Sequence, residues 1–402
     1  LGPAGIHSPQ ASTRAITLQE SFSGRHNSIA FLRWLFAVLV VVDHSYSTGG
    51  FHHGQGPLGH WAAGQASLGD IAVLGFFILS GFLVTRSRDR MPSGGRYMWH
   101  RFLRIFPGFW VCLLVTAFVL APIEWQFETN QSLSTLFSFR NGPFQYIRHN
   151  FLLTIHQWEI GTTLSNTPLA SRGSPAAWDG SLWTLIYEFR CYVVVALICV
   201  AISQVFRRRA FVALTIGTGF VLATLKVDPH AGYLTLIPFA TSLPFVRFTF
   251  CFLLGALAYY YAEYIPVRRE AIVAAAIVFL YTLHSGGFYF IGYLAMAYCV
   301  MCAAVLLPLV RWDRFGDLSY GIYIYAFPAQ MMLAAHGFQR FGLFPFIAVS
   351  IVLSSLAAFA SWHLVEKWAL RLKGVAWPRR LRLGLAGARP ASVVAQSTAD
   401  EG

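Results

Sequence analysis

Two side chains able to hold a charge or move a proton lie inside one apolar stretch of this sequence. Ile29-Ala-Phe-Leu-Arg33-Trp-Leu-Phe-Ala-Val-Leu-Val-Val-Val-Asp43-His44 carries an arginine and a histidine eleven residues apart. At about 100° per residue, that spacing brings both to within about 20° of one helix face, about 16 Å apart in rise. A permanent cation then sits near one end of the helix and a titratable imidazole toward the other. An imidazole near its ordinary pKa of about 6.5 suits proton removal from a hydroxyl at neutral pH. The plain alternative is an arginine that snorkels to the headgroups and a histidine that caps the helix.

Two further clusters invite the same question. Arg101-Phe-Leu-Arg104-Ile-Phe-Pro107 sets two guanidiniums three residues apart, on one helix face. Forked, permanently charged donors at a membrane mouth suit a polyphosphate, and they serve equally as a positive anchor. In Asp179-Gly-Ser181-Leu-Trp183-Thr-Leu-Ile-Tyr187-Glu188-Phe-Arg190-Cys-Tyr192, Glu188 stands in otherwise apolar surroundings. Thr184 and Tyr192, four residues either side, share its face, whereas Arg190 points elsewhere. Glu188 therefore needs a partner from another helix, and Arg33 or His44 is expected. Its role is either to orient an imidazole and bind hydroxyls or to form a structural ion pair. Asp43 is a lesser candidate orienter, about 100° round the helix from His44.

The elements that must position these groups follow from composition. Only 12% of the 402 residues are charged, 56% are apolar and 16% aromatic. Soluble domains are nearer 25% charged. Several apolar runs reach about 20 residues, enough to cross about 30 Å of hydrocarbon. The chain reads as an all-α integral membrane protein. Ten segments are expected, near 29–46, 68–85, 102–122, 181–203, 210–225, 243–262, 271–284, 287–310, 318–336 and 342–365, with 234–243 a possible re-entrant turn. Gly75, Ser80 and Gly81 in the second allow close helix approach.

With the N-terminus inside, 22 of the 30 Lys and Arg residues fall on inner segments and five on outer ones. Basic residues resist translocation, so both termini are expected in the cytoplasm. The net charge of +13 therefore answers to topology and calls for no nucleic acid. Residues 1–28 are polar and lack the apolar core of a cleavable signal, so the first span is expected to direct its own insertion. Residues 29–366 form the membrane domain with an external loop over 123–180, and 367–402 read as a basic, disordered cytoplasmic tail. All six cysteines lie in apolar segments as packing residues. His52, His53 and His60 lack a nearby carboxylate or thiolate, and no metal is expected. Trp125, Trp158 and Trp178 of the outer loop would stack on sugar rings or belt the interface.

The pattern resembles the membrane-bound acyltransferase 3 family. Arg33-x10-His44, Phe76-Phe77-Ile-Leu-Ser80-Gly81-Phe82, Arg101-x-x-Arg104-Ile-x-Pro107, Ser181-Leu-Trp183-Thr-Leu-x-x-Glu188, Leu318-Ser319-Tyr320-Gly321-Ile-Tyr323-Ile-Tyr325 and Val365-Glu366-Lys367 occur in family order. The resemblance implies a multi-pass enzyme of the bacterial inner membrane. It would move an acyl group, most often acetyl, from cytoplasmic acyl-CoA to a hydroxyl of a cell-surface or lipid-linked carbohydrate. His44 is then the general base, with Glu188 beside it. Arg33, Arg101 and Arg104 hold the CoA phosphates, and Trp183, Tyr192 and Tyr323 contact substrate. Where many relatives carry a histidine after the Tyr323-Ile-Tyr325 run, this chain has Ala326. The hydrolase-like domain fused to some relatives is not seen, so transfer is expected within the bundle or with a separate partner. The rival reading is a transporter or flippase using the buried His/Glu pair for proton coupling, against which no internal repeat is visible.

Overall fold

In hydrocarbon a chain must satisfy its backbone polar groups internally, and helices do so within a single segment. The computed structural model describes residues 16–22, 27–91, 93–227 and 242–374, and these hold helices and no β-strand beyond one isolated Thr17–Pro266 bridge. Eight helices are long and apolar enough to cross a membrane. They are α1 (Ile29–Thr48), α2 (Leu68–Asp89), α3 (Gly94–Thr129), α4 (Leu182–Ala201), α5 (Gln204–Val227), α6 (Leu243–Tyr260), α8 (Phe288–Leu306) and α10 (Leu343–Gly374). Two helices of 17 residues, α7 (Arg269–Ser285) and α9 (Ser319–Ala335), occupy the remaining expected segments.

The core of the bundle is α1, α2, α9 and α10, with α6 laid along α2. Small residues set that last contact. A Cβ on Gly81 would collide with the Phe252 carbonyl of α6, and one on Gly255 with the Ile78 carbonyl of α2, so the two backbones touch at a reciprocal glycine crossing. Gly75 lies against the Phe36 ring of α1. Ser80, between them, is used for a hydrogen bond instead.

Two boundaries differ from expectation. α3 runs on through a π turn at Thr116–Leu120 as far as Thr129, so 123–129 is helical and continuous with α3. The remainder of that loop folds back into the bundle: Asn150, Thr163, Trp178 and Asp179 are buried. α10 continues past Glu366 to Gly374, so the first eight residues of the expected disordered tail are helical. Trp99 Nε1 donates to the Leu372 carbonyl, and a His100 ring nitrogen lies 3.3 Å from that of Lys373, latching this end to α3. Residues 375–402 and the 234–241 stretch of the possible re-entrant turn lie outside the described residues.

Candidate active site

At the end of the bundle holding the start of α1, α3 and α9, a cavity of about 310 Å³ opens between the helices. Arg33, Arg101, Arg104, Glu188, Tyr192 and Tyr323 all line it. Six of the eight side chains singled out from sequence thus face one space. Local geometry explains several of them. Arg101 and Arg104 lie in the first turns of α3, where the helix leaves the polar Ser93 cap. A π turn at Trp362–Glu366 in α10 turns the buried Glu366 toward Arg104.

The charges are arranged about Asp317. Its Oδ2 accepts from Arg33 Nη1 at 2.6 Å and from Arg104 Nη2 at 2.5 Å, and Ser319 Oγ donates to Oδ1 at 2.6 Å. Arg104 also lies 3.9 Å from Glu366. Burial pushes the Asp317 carboxyl up, but the Arg104 and Arg33 guanidiniums outweigh it and hold it down at about 2. Arg101 takes a different environment. It lies over the Tyr97 and Tyr192 rings, and its buried Nε has no hydrogen-bond partner.

Glu188 does not meet Arg33 or His44. Its Oε1 accepts from Ser80 Oγ of α2 at 2.9 Å and from Tyr192 OH at 2.5 Å. The cross-helix partner the sequence required is therefore a serine, supplied where α2 is thin enough to approach. Tyr323 donates to the Ser181 carbonyl at 2.9 Å and lies 2.6 Å from Thr184 Oγ1, while Ser181 Oγ donates back to the Tyr323 carbonyl. Tyr323 is only one turn into α9, so these bonds draw the chain entering α4 deep toward the cavity.

His44 and Trp183 are not among the lining residues. Trp183 packs on Tyr187 and Phe248, and its neighbour Thr184 faces the cavity instead. His44 lies farther along α1, edge-on to Phe327 at 5.2 Å between ring centroids, its buried Nδ1 without a hydrogen-bond partner. Phe327 is one turn beyond Tyr323 on α9, so that helix joins the lining residue Tyr323 to the ring packed on His44. Gly180 lies against the same ring: a Cβ there would strike Phe327. Asp43 is engaged elsewhere, accepting from Ser67 Oγ at 2.9 Å beside the Asp70–Arg247 ion pair.

Trp178 is fully buried, with Nε1 bonded to Thr163 Oγ1, and Trp125 is 2% exposed, so neither presents a face to a sugar. Among the described residues no group of three His, Cys, Asp or Glu side chains is arranged to hold a metal. A second cavity, of about 570 Å³ between α3, α9 and α10, is lined almost wholly by apolar side chains such as Val111, Met332 and Leu353 and offers no comparable charge.

The acyltransferase domain model of the acyltransferase 3 family matches residues 26–363, which contain every side chain placed around the first cavity except those at the far end of α10. The chain belongs to the acyltransferase 3 family. It is 28% identical over 352 residues to the O-acetyl transferase of Shigella phage Sf6, covering 85% of this chain and 96% of that protein. It is 27% identical over 380 residues to Nodulation protein 10 of Rhizobium leguminosarum bv. viciae, covering 90% and 98%. No solved structure matches. The polar cavity brings together cations and hydrogen-bonding hydroxyls, and the His44 imidazole packs on Phe327, one turn along α9 from the lining residue Tyr323.

Sequence reasoning missed Asp317, Ser80 and Lys373 as members of this site. Asp317 was legible as an acid beside the Leu318-Ser319-Tyr320-Gly321 motif, in a connection otherwise read for its arginines. Ser80 was read only as a small packing residue. Lys373 was assigned to the tail.

Proposed function

We propose that this acyltransferase moves an acetyl group from cytoplasmic acetyl-CoA to a hydroxyl of a cell-surface or lipid-linked carbohydrate, in a bacterial inner membrane. The observation that carries the reading is the convergence of Arg33, Arg101, Arg104, Glu188, Tyr192 and Tyr323 on one cavity at the basic end of the bundle. In this reading the chain crosses the membrane ten times, counting α7 and α9, with both termini in the cytoplasm. The excess of Arg and Lys on that side supports the orientation. The phage relative is an O-acetyl transferase by name, which supports acetyl as the group moved and oxygen as the acceptor atom.

The donor's phosphates sit at the cationic mouth, and the pantetheine arm runs past Tyr323 toward Phe327. His44 acts as general base. As the acceptor oxygen attacks the thioester carbonyl, the imidazole takes the hydroxyl proton. The C–S bond then breaks and the departing CoA sulfur receives a proton. Glu188, held by Ser80 and Tyr192, lines the path to the reacting carbon and binds polar groups of the substrates. The His44 Nδ1 atom, buried without a partner, fits a group whose hydrogen bond is completed only when substrate is bound.

The test is product mass spectrometry after incubating the purified protein with labelled acetyl-CoA and candidate glycans. Wild type is expected to transfer label. His44→Gln is expected to bind CoA with wild-type affinity and to lose at least about a hundredfold in turnover, because an amide hydrogen-bonds but takes no proton. Near-wild-type turnover in His44→Gln would make the histidine structural.

A further inference from the structure

Of the four cations that line the cavity, two are already ion-paired. Arg33 and Arg104 share one carboxylate oxygen of Asp317. The other acid in the lining, Glu188, is engaged by Ser80 and Tyr192. Arg101 and Lys373 remain, and among the described residues neither forms an ion pair with a carboxylate. Arg101 is held by the Tyr97 and Tyr192 rings, with its Nε buried and unbonded. Lys373 stands at the far end of α10, in the short turn Leu372–Gly374. It reaches the cavity because the Leu372 and Lys373 carbonyls are latched to Trp99 and His100, immediately before Arg101 on α3. Its ammonium is repelled by Arg101 and Arg104 and attracted, less strongly, by Asp317. Like charges brought together with too few counter-charges are unfavourable, and an anion that enters between them relieves the repulsion.

We propose that Lys373, with Arg101, forms the principal site for a phosphate group of the acyl donor, so that the terminal turn of α10 is a wall of the donor site and not a tail. The four cations of the lining outnumber the carboxylates around them, Asp317, Glu188 and the adjacent Glu366, and an anionic phosphate complements that excess. Residues 364–374 lie beyond the segment matched by the family model. Arg33 and Arg104 then serve chiefly to fix α1, α3 and α9 around Asp317. The proposal rests on the donor reading above. A lipid headgroup offers the same phosphate chemistry, and the experiment separates the two sources.

Full-length protein is placed in nanodiscs of phosphatidylcholine alone, and CoA binding is measured by calorimetry for wild type, Lys373→Gln, Lys373→Arg and Lys367→Gln. Lys367 is exposed on the same helix, outside the cavity. Lys373→Gln is expected to weaken CoA binding about tenfold, the loss of one charge-assisted contact. Lys373→Arg is expected to stay within about threefold of wild type, because the charge is kept. Lys367→Gln is expected to bind as wild type does. Thermal unfolding of each variant reports whether the latch to α3 is intact. Wild-type CoA affinity in a folded Lys373→Gln overturns the proposal and leaves the donor reading standing. An effect of Lys373→Gln seen only when anionic lipid is added also overturns it, in favour of a headgroup. Failure of wild type to bind CoA in any nanodisc defeats the donor reading, and the proposal with it.

Discussion

Arg104 and Asp317, 213 positions apart in sequence, are joined at 2.5 Å between Nη2 and Oδ2. The pair ties the first turns of α3 to the entry of α9, and Arg33 brings α1 to the same oxygen. Three helices therefore meet at one carboxylate at the mouth of the site. A carboxylate bound by two guanidiniums closes the bundle there and sets how much positive charge is left for a ligand.

Replacing that carboxylate tests the arrangement. Asp317→Asn leaves Arg33 without its carboxylate and Arg104 with only Glu366, at 3.9 Å; the two arginine side chains are 24% and 14% exposed. A fully buried broken pair costs about 3–5 kcal/mol, and partial exposure reduces this to roughly 1–3 kcal/mol. Thermal unfolding in detergent is expected to show a clear fall in Tm. CoA binding is expected to persist and to strengthen at low salt, since the cavity gains one net positive charge. An unchanged Tm would mean that the pair contributes nothing to closure.

Glu188 can be separated into its charge and its hydrogen bonds. Glu188→Gln keeps a carbonyl oxygen to accept from Ser80 and Tyr192, so folding is expected to be unaffected. Glu188→Ala leaves both hydroxyls without their acceptor and is expected to cost about 1–3 kcal/mol. If the carboxylate assists the reaction, turnover in Glu188→Gln falls by about a hundredfold or more at wild-type stability. Full activity in Glu188→Gln, measured with labelled acetyl-CoA, would assign the residue to packing alone.

A pH dependence is expected from Asp179, in the segment that folds back before α4. The carboxyl is buried and accepts from Tyr146 OH at 2.6 Å and Thr116 Oγ1 at 3.3 Å. Burial pushes it up to about 7, against the pull of these hydrogen bonds. The raised value means that the folded protein holds this proton more tightly than the unfolded chain does. Its contribution is therefore full below the unfolded value of about 3.9 and is lost as pH rises through about 7. Between about pH 5.5 and about pH 8 the loss is on the order of 2 kcal/mol. Thermal scans should show wild type less stable at the higher pH. Asp179→Asn, which has no proton to lose, should flatten that slope, and an unaltered slope would assign it to other groups.

The sequence by itself determined the class of fold and most of the site's inventory. Low charge and apolar runs of spanning length admit only helices in a membrane, because no other open structure satisfies the backbone there. Arg33, Arg101, Arg104 and Glu188 were visible as charges in apolar surroundings, where retaining one is costly. Helical periodicity placed Glu188 and Tyr192 on one face, and they do share a hydrogen bond. Which side chain from another helix meets which was not legible, since those pairings depend on how closely the helices approach. Glu188 meets Ser80 because the glycines flanking that serine allow α2 to pack closely against α1 and α6. Arg33 turns to Asp317 because α9 begins beside it, and that carboxylate lies in a connection with no periodicity to give its direction. The burial of Trp178 and the reach of Lys373 also belong to tertiary structure alone. A tryptophan in a loop and a lysine in a basic tail look solvent-facing in sequence until the fold brings neighbouring helices over them.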